Sequence, residues 1–182
     1  NEYQSLIQQA GLRPAVVDVD AFAIANMFEI NYDRTIGSIA LVNVGSSNVN
    51  IHVIRDGVSM FTRDIGMGGR QFTEEIQRTL NISYEDAELM KVGDPERDDR
   101  AVVPDEIEQV LSSVGESLAT EIQRSLDFYM SAAADGGLTR IYLSGGAART
   151  PGLARAISLQ TSLPCELVDS DRSITIDEQQ FK

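Results

Sequence analysis

The chain has 182 residues, enough for one large domain or two small ones, with 28 acidic and 15 basic residues for a formal net charge of −13. That acidity repels polyanions at long range and argues against nucleic-acid binding, while leaving room for a local nucleotide site. With two lysines, one cysteine and one histidine, there is no lysine-bearing P-loop, no disulfide framework and no zinc set, and no apolar run reaches the length of a membrane span.

The chain opens on Asn1 without a signal-peptide pattern. It reads as a fragment or a processed product, and a reducing cytoplasm suits its cysteine usage. Residues 3–10 read as a short helix closed by Gly11. Residues 15–19, Ala-Val-Val-Asp-Val, read as a short buried strand. Asp20 stands where a helix cap belongs, ahead of a helix over 21–29. Phe22, Ala25, Met27 and Phe28 leave that helix nearly apolar, so it is expected to be buried between larger units. Residues 31–37 form a polar break.

Three strands follow, at 38–44, 49–55 and 58–65. Their spacers are short, which makes them antiparallel neighbours, and Asp56-Gly57 is a hairpin turn. Gly66, Gly68 and Gly69 end the meander. Phe72, Ile76 and Leu80 share one face of a helix over 70–80. Ser83-Tyr84-Glu85-Asp86 has the form of a capping box ahead of a helix reaching Lys91. Residues 92–104, with GDPERDD at their centre, read as a charged, solvated loop.

Pro104 suits the first turn of a long helix. An apolar stripe from Ile107 through Leu118, Ile122 and Leu126 to Ala133 carries it over roughly 45 Å, until Asp135-Gly136-Gly137 stops it. Residues 138–144 read as a strand ending in Gly145-Gly146. Thr150-Pro151 opens a further helix to about Leu163, Pro164 breaks it, residues 166–168 form a last short strand, and 169–182 a polar edge segment. The sum is a mixed α/β architecture in which a right-handed crossover brings RIYLSGG into the meander's sheet in parallel. His52, on an apolar strand, reads as a satisfied structural residue, and Cys165 as a buried structural thiol.

Two loops bear on chemistry. The first, Asn43-Val44-Gly45-Ser46-Ser47-Asn48, follows a buried strand. It has two readings: a hairpin tip, since Gly, Ser and Asn dominate turns, or a cradle whose backbone N–H groups converge on an anion. The second, around Gly145-Gly146-Ala147, runs from a strand into a capped helix. It is either a plain strand-to-helix turn or a surface stripped of side chains for a flat ring, with a helix N-terminus adding partial positive charge. Both loops follow strands that share one sheet on this reading, so both open on the same edge.

These segments carry a resemblance. ALVNVGSSNVNIHVIRDG resembles the second phosphate loop of the actin-like ATPase superfamily, and IYLSGGAARTPGL resembles its adenosine motif. VVDVDAFAIANMFE, GGRQFTEEIQRTLNIS with EDAELMK, EIQRSLDFYMSAA and the ending SITIDEQQF are similar to the PilM family of type IV pilus assembly proteins, relatives of the division protein FtsA. The resemblance spans essentially all 182 residues.

The resemblance implies an actin-like (ribonuclease H-like) second lobe: a mixed sheet with a three-strand meander, a long helix and a small inserted helical subdomain. Residues 1–20 would close a first lobe and 21–37 would link the lobes. Residues 38–66 and 105–182 would form the large subdomain of the second lobe, with 67–104 its small outer subdomain.

By the same resemblance, Asn43, Gly45, Ser46, Ser47 and Asn48 would face the phosphates of ATP, and Gly145, Gly146 and Ala147 the adenine. Glu85, Glu88 and Lys91 match a region that touches ribose and base in relatives, although an amphipathic helix accounts for the same letters.

Relatives usually carry Asp where this chain has Asn43, and that Asp helps hold Mg2+. A neutral amide is a weaker ligand for a hard cation, so hydrolysis is expected to be slow or absent. The family's first phosphate loop has no match in these residues, so this chain alone is expected to bind ATP weakly or not at all. The implied role is a cytoplasmic ATP-binding scaffold of the type IV pilus inner-membrane platform, serving pilus biogenesis and twitching motility. Its implied partners are the cytoplasmic tail of the membrane protein PilN, through a groove mostly in the first lobe, and other pilus components including assembly ATPases. It would lie peripherally on the inner membrane through those partners, without inserting. The alternatives are a catalytic ATPase or phosphotransferase of this fold, which needs a carboxylate over the γ-phosphate, and an FtsA-like filament former.

Overall fold

The computed structural model describes residues 2–33, 37–92, 105–133 and 137–173. Two short N-terminal helices, α1 (Glu2–Gln9) and α2 (Asp20–Asn31), lead into the meander β1 (Ser38–Val44), β2 (Val49–Arg55) and β3 (Val58–Ile65). Helices α3 (Gly69–Leu80), α4 (Tyr84–Val92) and α5 (Asp105–Ala132) follow. Then come β4 (Leu138–Ser144), a 3-10 turn (Gly146–Arg149), α6 (Leu153–Thr161) and β5 (Cys165–Leu167). The five strands form one sheet in the order β3-β2-β1-β4-β5. β1 runs antiparallel to β2, and β2 to β3. β4 joins β1 in parallel, reached through a connection long enough for the crossover that parallel pairing needs.

Period-two alternation sorts the side chains of β1 onto two faces. Val42 and Val44 point with Ile51, Val53, Ile141 and Leu143 into the main core, where they meet Phe72 and Ile76 of α3, Leu118, Ile122 and Leu126 of α5, and Leu153 and Ile157 of α6. Ile39 and Leu41 point the other way and pack with Ile54 and Tyr142 against Phe28 of α2. A helical stripe on α5 therefore buries itself against the sheet over most of the helix's length, which holds β4 in place beside β1.

The three meander strands and β4 form at the expected bounds, between the turns. Ser83 caps α4 through its hydroxyl, which accepts from the Asp86 amide at 3.1 Å. His52 is satisfied on both ring nitrogens, by the Ala21 carbonyl at 3.0 Å and the Ser59 hydroxyl at 2.8 Å.

Four expectations need correction. Residues 15–19 form no strand, and Val16 and Val17 are 82% and 63% exposed. A strand needs a hydrogen-bonding neighbour, and the edges of this sheet, β3 and β5, pair with inner strands only. Asp20 is the first residue of α2 and does not cap it; its carboxylate accepts only from the adjacent Ala21 amide. That helix is covered on one face alone, leaving Phe22 and Ile30 exposed. The last helix starts at Leu153 behind Gly152, which sits in the left-handed region at φ 79°, so Thr150 is not its side-chain cap. The GDPERDD loop, Pro104, the Asp135-Gly136 stop, and the SITIDEQQF ending from Ile174 onward lie outside the described residues.

Cys165 is half-buried at the start of β5. Burial, with the Glu166 carboxylate next in effect, pushes its thiol up to about 12. The thiolate is the reactive form. At pH 8 the native protein should therefore react with iodoacetamide on the order of a thousandfold more slowly than the unfolded chain, whose thiol titrates near about 8.5. Equal rates, read by mass spectrometry, would contradict the buried placement.

Candidate functional site: two loops on one edge of the sheet

The parallel register of β1 and β4 sets Asn43 beside Ser144. The chain therefore leaves both strands at the same edge, and the 45–48 and 145–147 loops emerge side by side. In the first loop the Gly45 N–H donates to the Asn48 carbonyl at 2.9 Å and closes a four-residue tip. Ser46, Ser47 and Asn48 are exposed, and their N–H groups have no acceptor among the described residues. In the second loop Gly145 takes φ 90°. A Cβ there would lie 2.5 Å from the Val44 carbonyl oxygen and 2.6 Å from Asn43 Oδ1, so only glycine permits this contact.

A third segment locks the pair. The first amides of α3 donate into the 45–48 loop, Gly69 to the Gly45 carbonyl at 2.9 Å and Arg70 to the Ser46 carbonyl at 2.8 Å. A Cβ on Gly68 would lie 2.5 Å from that same Gly45 oxygen, and one on Gly69 would lie 2.8 Å from Ala147 Cβ. The helix start nearest these loops is thus that of α3, with its N–H groups spent on loop carbonyls. The start of α6 is set apart by the 3-10 turn.

Asn43 lies at the end of β1 on the α2 face. Its Nδ2 donates to Asn50 at 3.3 Å, and its Oδ1 accepts from the Ser144 hydroxyl at 3.4 Å. Asn50 passes the row on, donating to Asp64 at 2.6 Å. A polar ladder thus crosses β4, β1, β2 and β3 below the loops. A neutral amide engaged at both ends is a poor direct ligand for Mg2+, and among the described residues no group of three or more His, Cys, Asp or Glu side chains is arranged to hold a metal ion. The glycine-lined edge offers the exposed amides of Ser46, Ser47 and Asn48 to an anion; Asn43 does not fit a metal-holding role.

Glu88 and Lys91 face α3, while Glu85 is exposed. The Lys91 side chain is only 9% exposed. Its ammonium donates to Glu88 at 2.7 Å, to the Thr73 hydroxyl at 2.9 Å and to the Gly69 carbonyl at 3.3 Å. This cluster braces the glycine pair behind the loops. Burial alone would raise the Glu88 pKa, but the hydrogen bonds from Lys91 and Thr73 and the Lys91 charge together hold it below the ordinary carboxylate value.

Sequence reasoning singled out neither the contacts of Gly68 and Gly69, nor Thr73, nor the ladder partners Asn50, Asp64 and Ser144. The legible signal was a polar residue at the matching end of each of four strands.

The mixed sheet, its meander and its pair of edge loops define this as an actin-like fold. The solved archaeal actin homologue Ta0583 has 14% identity and a TM-score of 0.59 over 94% of this chain and 51% of that one. More specifically, the chain matches the family model of type IV pilus assembly protein PilM over residues 1–182, and belongs to that family. A solved chain of a PilM-PilN type IV pilus biogenesis complex has 22% identity and a TM-score of 0.78 over 97% of this chain and 49% of that one.

Among curated relatives, the ethanolamine utilization protein EutJ of Escherichia coli K12 is 24% identical over 165 residues, 88% of this chain and 51% of that protein. The cell division protein FtsA of Agrobacterium fabrum is 30% identical over 135 residues, 63% of this chain and 30% of that protein. The chain thus spans about half of the first of these curated relatives and about a third of the second. Among the described residues no helix is long and apolar enough to cross a membrane.

The lowered Glu88 pKa has a signed consequence. A carboxylate depressed on folding stabilises the protein above its unfolded value, here 4.5, and that contribution is lost as pH falls through the lower folded value. Lys91→Met should remove this part of the acid dependence, so that urea midpoints of variant and parent converge as pH falls below 4.5. A constant gap between them from pH 7 to pH 3 would contradict the pairing.

Proposed function

We propose that this chain forms one wall of an ATP site in a scaffold protein of the type IV pilus machine. The observation that carries the reading is the side-by-side exit of the 45–48 and 145–147 loops from adjacent parallel strands. Ligands of open α/β sheets bind outside the carboxyl ends of such strands. The exposed Ser46, Ser47 and Asn48 amides would take the phosphates, and the backbone around Gly145, Gly146 and Ala147 the adenine. Lys91 and Glu88 act behind the loops as positioning residues, since both are spent on α3. Mg2+, where it accompanies the nucleotide, would reach this wall through the phosphates and water, because Asn43 is a weak ligand. Binding without efficient hydrolysis follows, which favours a scaffold over a phosphotransferase. The similarity to a chain of a solved PilM-PilN complex supports PilN as the partner, with membrane attachment through it.

Two-dimensional amide NMR of the 182-residue chain titrated with ATP tests the reading. Shifts should concentrate at Ser46, Ser47, Asn48, Gly145, Gly146 and Ala147, with half-saturation above the micromolar range because a single wall supplies few contacts. Shifts elsewhere, or none at millimolar ATP, would overturn the assigned site. Micromolar affinity would overturn the single-wall account.

A further inference from the structure

The loops occupy one end of the sheet; a second concavity of about 650 Å3 lies at the other, between the end of α2 and the β2–β3 hairpin. Its floor is apolar and aromatic: Phe28 and Ile54 are buried there, and the Phe28 and Tyr32 rings stack with centroids 4.4 Å apart. Its rim is acidic. Glu29, Asp33 and Asp56 all line it and all are exposed. Glu29 and Asp33 have no ion-pair partner among the described residues, and Asp56 accepts only the Gly37 amide there, at 3.3 Å. The Tyr32 ring already takes a cation from this chain, since the Arg172 guanidinium lies 5.1 Å from its centre.

We propose that this groove docks a basic segment of a partner protein, with an arginine or lysine whose alkyl stem lies on Phe28 and Ile54 and whose charge meets the three carboxylates. The charge pattern selects the occupant. Nucleic acid and anionic membrane are repelled by the rim, and a metal ion or polyamine would leave the apolar floor uncovered. Arginine and lysine match both parts, because each carries an apolar stem under a cationic head. The groove is at the opposite end of the sheet from the nucleotide-facing loops, so the proposal stands whether or not ATP binds there.

The test uses a fluorescein-labelled ten-residue peptide alternating Arg and Leu, with a Glu–Leu counterpart, read by anisotropy at physiological salt. Glu29→Gln, Asp33→Asn and Asp56→Asn together should weaken binding of the Arg–Leu peptide at least tenfold; Asn tolerates the left-handed backbone of Asp56, φ 50°. The charge-matched set Glu106→Gln, Glu108→Gln and Glu116→Gln on α5 should change it less than threefold. Val58→Ser, an exposed change on the groove wall, should weaken binding with the charges intact. Unchanged circular dichroism melts establish that each variant is folded. Equal losses in the two charge sets would reduce the binding to overall acidity and overturn the proposal. So would equal affinity for the Glu–Leu peptide, or no binding of either peptide.

Discussion

No side chain fits between Gly145 and the backbone of Val44. A Cβ there would sit 2.5 Å from a carbonyl oxygen, well inside van der Waals contact, so the exit from β4 can press against the exit from β1 only through glycine. That contact depends on the parallel pairing of the two strands, which depends in turn on α5 spanning the sheet and burying Leu118, Ile122 and Leu126 against it. Gly68 and Gly69 repeat the device from the side of α3. Three segments far apart in sequence thereby become one rigid edge, with the amides of Ser46, Ser47 and Asn48 outermost.

The ladder beneath that edge gives it its chemical character. Ser144, Asn43, Asn50 and Asp64 hydrogen-bond in a row across four strands, and the charge sits at the far end, on β3. With an amide at Asn43, the position next to the loops contributes hydrogen bonds and no charge. A rigid donor edge over a neutral floor favours holding an anion over driving a metal-dependent displacement, which is the physical basis for proposing a scaffold.

The sheet was legible because its signals are local. The meander strands are short runs set off by brief polar spacers, Asp56-Gly57 turns the chain, and the α5 stripe has no competing period. What failed was local patterning without a neighbour. Val16, Val17 and Val19 have strand-like composition, yet backbone pairing decides a strand, and no described strand pairs with them. The candidate loops were legible as glycine-rich strand exits, but the bracing was not. Nothing in the spacing of Gly69, Thr73, Glu88 and Lys91 announces that α4 folds back on the first turn of α3 and removes Lys91 from solvent. Resemblance implies a ligand contact for Glu88 and Lys91; the geometry sets Lys91 against Glu88 and against Thr73 and Gly69 of α3.

The central claim is that the two loops are one mechanical unit joined through glycine. Amide NMR of the Gly145→Ala chain tests it most directly. Because the added methyl must displace Val44 or Asn43, the resonances of Gly45, Ser46, Ser47 and Asn48 should shift as strongly as those of Gly146 and Ala147, with global stability lower by about 1–3 kcal/mol from the strained backbone. Perturbations confined to residues 144–149, with the 45–48 loop unmoved, would contradict the account.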